Sequence, residues 1–300
     1  MTGTVYSLRS LALSSLVIVA CVSLACGADE SATKDSAGGG NGSYEVHDMK
    51  RPQPVVVTPG DAPGQPPSDA VVLFGGNEQD LAKWEMVRTE KELKANAAVR
   101  SAQWKVEDGQ LVVVPKTGYM GTKDAFRDVQ LHAEFWHPPD IKGESQGRGN
   151  SGIFLMGLYE VQVLDNYKAQ TYADGMVGSM YGQYSPLVNA ARPPGQWQTY
   201  DVIFRAPRYE GEKVVKPARM TVLLNGVVVQ DAVDLLGPTR HKVLAEYPKK
   251  HPERAPLTIQ DHGQPVRFRN IWVRELTENP PVSARSAADA KKPAEPKKPQ

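Results

Sequence analysis

Three short stretches carry carboxylate, amide and imidazole side chains at alternate positions: 129–136 (VQLHAEFW), 159–164 (YEVQVL) and 257–262 (LTIQDH). In an extended strand, successive side chains point to opposite faces, so residues two apart share a face. The first stretch sets Val129, Leu131, Ala133 and Phe135 against Gln130, His132, Glu134 and Trp136. The second sets Tyr159, Val161 and Val163 against Glu160 and Gln162, and the third sets Leu257 and Ile259 against Thr258, Gln260 and His262. If these strands lie in one sheet, its polar face collects Glu134, Glu160, Gln162, Gln260 and His262. Carboxylates and imidazoles move protons, and histidine does so near neutrality because its ordinary pKa is about 6.5. Amides bind hydroxyl groups, and Trp136 could stack on a sugar ring, so the face suits a carbohydrate. The same alternation describes the solvated outer face of an antiparallel sheet, and the pattern alone leaves both readings open.

Other polar residues have structural readings beside the chemical one. Asn150-Ser151-Gly152 reads as a turn leading into a strand, although Asn150 could bind a hydroxyl. Asp165 suits a turn cap, and Asp261 falls on the apolar side, where it would hold the turn at Gly263. Asn270 shares a face with Phe268 and Trp272, which predicts a buried structural amide. Arg269 divides evenly between substrate binding and a salt bridge. The glutamate, glutamine and histidine set also suits a divalent metal ion, but no HExxH spacing occurs, so no cofactor is assigned. GxSxG, P-loop and dinucleotide-binding signatures are absent.

The elements that must position these residues are strands. Short β-prone runs recur at 70–74, 110–114, 129–136, 152–156, 159–164, 199–204, 219–224, 227–230, 257–260 and 266–273. Turn signals separate them, with Asn225-Gly226 the strongest hairpin signal. Only 90–100 reads as helical. Many short strands predict an all-β sandwich or jelly roll. The net charge of +1 gives no reason to expect a nucleic-acid partner. The two cysteines, Cys21 and Cys26, both lie near the N-terminus, which excludes a disulfide framework in the body of the chain.

The ends read differently. Arg9 is followed by a short apolar run from Leu11 to Ala25, then Cys26 and a polar stretch. That order describes a secretory signal ending at a bacterial lipobox, with Cys26 favoured over Cys21 for lipidation. An ordinary signal peptide with incidental cysteines is the alternative. The expected layout is a lipoprotein-type signal peptide at 1–25, a disordered tether at 26–68 rich in Gly, Pro and Ser, a β-sandwich domain at 69–276, and a disordered basic, Pro-rich tail at 277–300. The protein is then expected to be secreted and held at the bacterial cell envelope, with the membrane as partner through its lipid anchor.

An ordered series of segments resembles the 3-keto-disaccharide hydrolase family. It runs from Leu73-Phe74-Gly75-Gly76 with Leu81 and Trp84, through Trp104 to Gly109 and Leu131 to Phe135. It continues with Gly149 to Leu155, Tyr159 to Asp165, Tyr181-Gly182, Asn189-Ala190 and Gly195-Gln196-Trp197. It closes with Asn225-Gly226, Gln260 to Gly263 and Phe268 to Trp272. Gly75-Gly76 departs from the family's usual Asn-Gly, at a turn only. The resemblance implies a concanavalin A-like jelly roll that cleaves glycosides oxidised at C3 of the sugar. A ketone at C3 acidifies the C2 hydrogen, so a base can remove it and the oxygen at C1 can leave by β-elimination, with or without later addition of water. Glu134, Glu160 and His262 are then the acid/base candidates. Gln162, Gln260, Asn150 and Arg269 are candidates for binding hydroxyls or the enolate oxygen, and Trp136 for stacking. The alternatives are a non-catalytic carbohydrate-binding module on the same fold and a conventional retaining glycosidase, which needs two carboxylates about 5–5.5 Å apart.

Overall fold

The computed structural model describes His47, Met49 and residues 53–278. In chain order the strands are β1 (Val71–Phe74), β2 (Trp84–Met86), β3 (Lys105–Glu107), β4 (Gln110–Val112), β5 (Met120–Phe126), β6 (Val129–Trp136), β7 (Ser151–Leu155), β8 (Tyr159–Val163), β9 (Gln198–Arg205), β10 (Arg208–Glu210), β11 (Lys213–Lys216), β12 (Arg219–Leu224), β13 (Val227–Asp234), β14 (Ala255–Ile259) and β15 (Arg267–Glu275). One short helix, α1 (Glu90–Lys94), falls in the stretch that reads as helical; the Thr89 hydroxyl and the Glu92 carboxylate cap it reciprocally. None of the described helices is long and apolar enough to cross a membrane.

Apart from β10 and β11, which pair only with each other, the described strands form a jelly-roll sandwich of two antiparallel sheets. The larger has the order β13-β12-β9-β6-β15-β4-β3, with β1 also pairing with β15. The smaller has the order β2-β5-β14-β7-β8. The apolar sides predicted by alternation meet between the sheets. Leu131, Ala133 and Phe135 of β6 are buried, as are Tyr200, Val202 and Phe204 of β9, and Tyr159, Val161 and Val163 of β8. Tyr159 packs on Phe204 with ring centroids 5.4 Å apart. The Tyr200 hydroxyl donates to the Gln162 carbonyl at 2.6 Å, tying one sheet to the other. Each large apolar side chain buried in this way contributes roughly 1.5–3 kcal/mol. The Asn225-Gly226 pair turns with both φ angles positive (55° and 81°), as the predicted hairpin between β12 and β13 requires.

Two expectations need correction. Residues 58–68, read from their composition as part of a flexible tether, lie along the large sheet. The Gly64 carbonyl accepts from Asn270 Nδ2 at 2.8 Å and from Trp272 Nε1 at 2.9 Å, and Thr58 and Ser68 bond to each other. Proline and glycine lowered the expected order of this strap, but the fixed donors of β15 hold it. Alternation also fails in β15. A bulge between Arg269 and Trp272, with Asn270 at φ 46°, inserts one residue and reverses the faces beyond it. Trp272 therefore faces outward onto His132, and Asn270 joins the outer face, where it bonds Glu134.

Candidate active site

The outer face of the small sheet carries a cleft of about 840 Å³, within the size range of small-molecule sites. Strand pairing lays out its floor. Gly152 of β7 faces Gln162 of β8, and Phe154 of β7 faces Glu160. The Gln260 backbone N–H donates to the Gly152 carbonyl at 2.9 Å, which places Gln260 just beyond the end of β14 in the same row. The Ser151 hydroxyl donates to the Gln260 carbonyl at 2.7 Å, a structural role in keeping with the turn reading of that residue.

Glu160 is the floor's ionisable group and is only 5 % exposed. Among the described residues it makes no ion pair. Burial alone raises its carboxyl to a pKa of about 8, because the charged form would lose its hydration without gaining a counter-charge. Gly152 makes room for it: a Cβ there would stand 2.3 Å from Glu160 Oε1. The Gln162 amide lies beside the carboxyl. With its nitrogen turned toward the neighbouring acceptors it donates to Glu160 Oε1 at 3.2 Å and to the Ser151 carbonyl at 3.1 Å. Asn150 Nδ2 donates to the Gln146 carbonyl at 2.9 Å. Gln146 itself is fixed by bonds to Thr171 Oγ1 (2.8 Å) and the Gly175 carbonyl (2.9 Å).

On the opposite side, Gln260 Nε2 donates to the Tyr119 hydroxyl at 2.6 Å, and the buried Gln260 Oε1 has no partner among the described residues. Burial outweighs that bond and raises the Tyr119 pKa, so its proton stays on and is free to be donated. Above the floor, the Tyr172 and Tyr181 hydroxyls meet at 2.8 Å, and Tyr181 reaches His241 Nδ1 at 3.3 Å. Burial, and then the bond to Tyr172, raise the Tyr181 pKa as well. His262 lies exposed at the rim. Asp261 next to it accepts from Gly263 N at 2.7 Å and from Gly118 N at 3.1 Å, holding the turn as its position in the strand suggests.

The cleft thus brings together Glu160, Gln162, Gln260, Asn150 and His262. It does not include Glu134, Arg269 or Trp136. Their strands, β6 and β15, belong to the large sheet, so the shared polar face expected from alternation is in fact two faces on opposite sides of the sandwich. Glu134 there accepts from Arg269 Nε at 2.7 Å and from Asn270 Nδ2 at 2.9 Å. Burial would raise its pKa, but the His132 imidazole 3.6 Å away and the bonds from Asn270 and Arg269 prevail and lower it to about 2. Arg269 is a structural ion-pair partner, with its guanidinium also 4.0 Å from the Trp197 ring centre. Trp136 packs near Trp197, at 6.5 Å, and cannot stack on a ligand in the cleft. The sequence reading assigned no role to Tyr119, Tyr172, Gln146 or His241. All four lie outside the strands, where no periodicity marks a face; Tyr181 appeared only within a resembling segment. Among the described residues, no three His, Cys, Asp or Glu side chains converge to hold a metal ion. Cys26 lies outside the described residues.

Residues 69–274 match the 3-keto-alpha-glucoside-1,2-lyase-like domain family. The chain belongs to this family. A crystal structure of a Parabacteroides distasonis ATCC 8503 protein, provisionally named a glycosyl hydrolase, is 43 % identical with a TM-score of 0.68, covering 77 % of this chain and 97 % of that one. A second protein from the same organism, named in the same way, is 19 % identical with a TM-score of 0.48, covering 70 % and 94 %. No curated protein matches. Family and fold together make this a glycoside-acting, carbohydrate-active domain.

Proposed function

We propose that the cleft cleaves glycosides whose sugar carries a ketone at C3, by proton removal at C2 and β-elimination of the oxygen at C1. The observation that supports this most is Glu160, a carboxyl buried at the floor of a polar cleft with no ion-pair partner among the described residues. A carboxylate with a pKa near 8 is a stronger base than an ordinary one and better matched to a carbon acid at working pH. In this reading Glu160 takes the C2 proton, and the electron pair passes to the C3 oxygen as an enolate. Tyr119, kept neutral and positioned by Gln260, donates to that oxygen. Collapse of the enolate forms the C1–C2 double bond and breaks the C1–O bond. The leaving oxygen takes a proton from His262 or from water at the rim. Water adding at C1 gives net hydrolysis; without it the enzyme is a lyase. Gln162, Asn150 and the free Gln260 Oε1 are suited to bind sugar hydroxyls.

A 3-keto-disaccharide should be cleaved and its unoxidised parent left intact. Rapid cleavage of the parent would refute the reading in favour of a conventional glycosidase. Binding of both sugars with cleavage of neither would favour a carbohydrate-binding module. We also propose, from the sequence of residues 1–26, lipid attachment at Cys26 and residence at the bacterial envelope. Equal palmitate labelling of wild type and a Cys21→Ser/Cys26→Ser variant would overturn that.

A further inference from the structure

The row of paired residues that begins at Glu160 continues past the cleft. Glu160 faces Phe154, Phe154 faces Thr258, Thr258 faces Gly121 and Gly121 faces Glu85. With strands about 4.8 Å apart, the row crosses roughly 19 Å of sheet. Beyond Phe154 it forms the floor of a second groove of about 330 Å³. Tyr119 and Phe154 line both cavities, their rings tilted at 35° with centroids 6.0 Å apart, so the two lie side by side with these rings at their border. The groove is more apolar than the cleft: its walls include Val87, Leu93, Val99 and Pro256, with Arg88 beside them. Val87, Leu93 and Val99 are 38 %, 53 % and 44 % exposed, so apolar side chains stand open to a ligand along this wall of the groove. Glycine keeps the floor low. A Cβ at Gly121 would meet Val87 Cγ2 at 3.2 Å, and one at Gly157 would meet Thr258 Oγ1 at 3.2 Å.

We propose that this groove receives an apolar, ring-shaped leaving group, so that the enzyme's substrates include 3-keto-glycosides of aryl alcohols. The proposal rests on the reading of the cleft given above: the keto-sugar lies over Glu160, and the leaving group crosses Phe154 into the groove. A second sugar in that position would set hydroxyl groups against Val87, Leu93 and Val99, which offer no hydrogen bonds, and would leave Glu85, Arg88, Tyr119 and the threonines of the groove to answer them. An aromatic ring there removes apolar surface from water on both sides. The volume suffices, since a dry cavity of about 150 Å³ already holds benzene.

The test compares a 3-keto phenyl glucoside with a 3-keto-disaccharide, using wild type and the Leu93→Ser/Val99→Ser variant. Both residues are about half exposed and neither belongs to the buried core, so the variant should fold. Wild type should prefer the phenyl substrate in kcat/KM, and the variant should lose about tenfold of that preference. An unchanged preference in the variant, or a wild-type preference for the disaccharide, would overturn the proposal. Should neither compound be cleaved, the reading of the cleft has failed, and the groove is judged by binding alone. Saturation-transfer NMR with unoxidised phenyl glucoside should then show the strongest transfer to the ring protons in wild type and its loss in the variant. Equal transfer to sugar and ring, or the same pattern in both proteins, would overturn the groove assignment.

Discussion

Glu134 and Glu160 both sit on strands and point away from the core, yet they end in opposite electrostatic states. Glu134 lies among a guanidinium, an amide and an imidazole, and its pKa falls to about 2. Its neighbour His132 shows the complementary effect. Burial would lower the histidine's pKa, but the 2.7 Å bond to Asp201 and the contact with Glu134 lift it to about 9. Among the described residues Glu160 makes no ion pair, and burial takes it to about 8. A carboxylate neutralised by fixed partners is structural because its charge is already committed. One held in a polar cleft without such partners can take up and release a proton near neutrality, which is the capacity the proposed function asks of Glu160.

The largest expected break between the two comes from removing each carboxylate in turn. Glu160→Gln should lower turnover of a 3-keto-disaccharide by roughly 10²–10⁴-fold, the usual weight of a positioned proton-transfer group. Glu134→Gln should keep turnover within a few-fold while losing about 1–3 kcal/mol of stability, because Arg269 and Asn270 lose their charged acceptor. Steady-state kinetics and thermal melts on the same preparations check both. Equal losses of turnover in the two variants would erase the distinction.

A smaller effect sharpens it through stability. The folded pKa of Glu160 lies above its ordinary value of 4.5, so wild type loses stability as pH climbs from about 4.5 through 8. Glu160→Gln has no such loss, and its melting temperature should move above wild type over that window by the equivalent of about 1–4 kcal/mol. Glu134 has the opposite sign: its contribution is present above pH 4.5 and fades as pH falls through about 2. Parallel melting curves of wild type and Glu160→Gln from pH 4 to 9 would contradict the burial argument. Smallest of all is Gly152→Ala, whose new methyl must displace the Glu160 carboxyl. It should cost about tenfold in kcat, with Glu160→Asp/Gly152→Ala recovering part of the loss if crowding is the cause.

Much of this was legible in the sequence. The inward residues of β6, β8 and β14 follow from period-two alternation, and Glu160, Gln162, Gln260 and His262 were marked by the same rule. Alternation is local, however, and sheet membership is not. The stretches holding Glu134 and Glu160 look alike as sequence, and only long-range pairing sends β6 into the large sheet and β8 into the small one. Trp136 was misplaced with Glu134 for that reason, while Arg269, open between substrate and salt bridge, takes the salt bridge to Glu134. The bulge at Asn270 leaves no signal in the alternation, and the 58–68 strap was hidden by a composition that usually means disorder. Tyr119, Tyr172 and Gln146 reach the cleft from turns and loops, where residue type carries no direction.

The most direct test of the account follows hydrogen at C2. Incubating 3-keto-glucose in heavy water with wild type, Glu160→Gln and Glu134→Gln, against a no-enzyme control, reports proton abstraction separately from bond cleavage. Wild type and Glu134→Gln should place deuterium at C2 well above the spontaneous rate, while Glu160→Gln should fall to the control. Exchange by Glu160→Gln at the wild-type rate would contradict the assignment of the buried glutamate as the base.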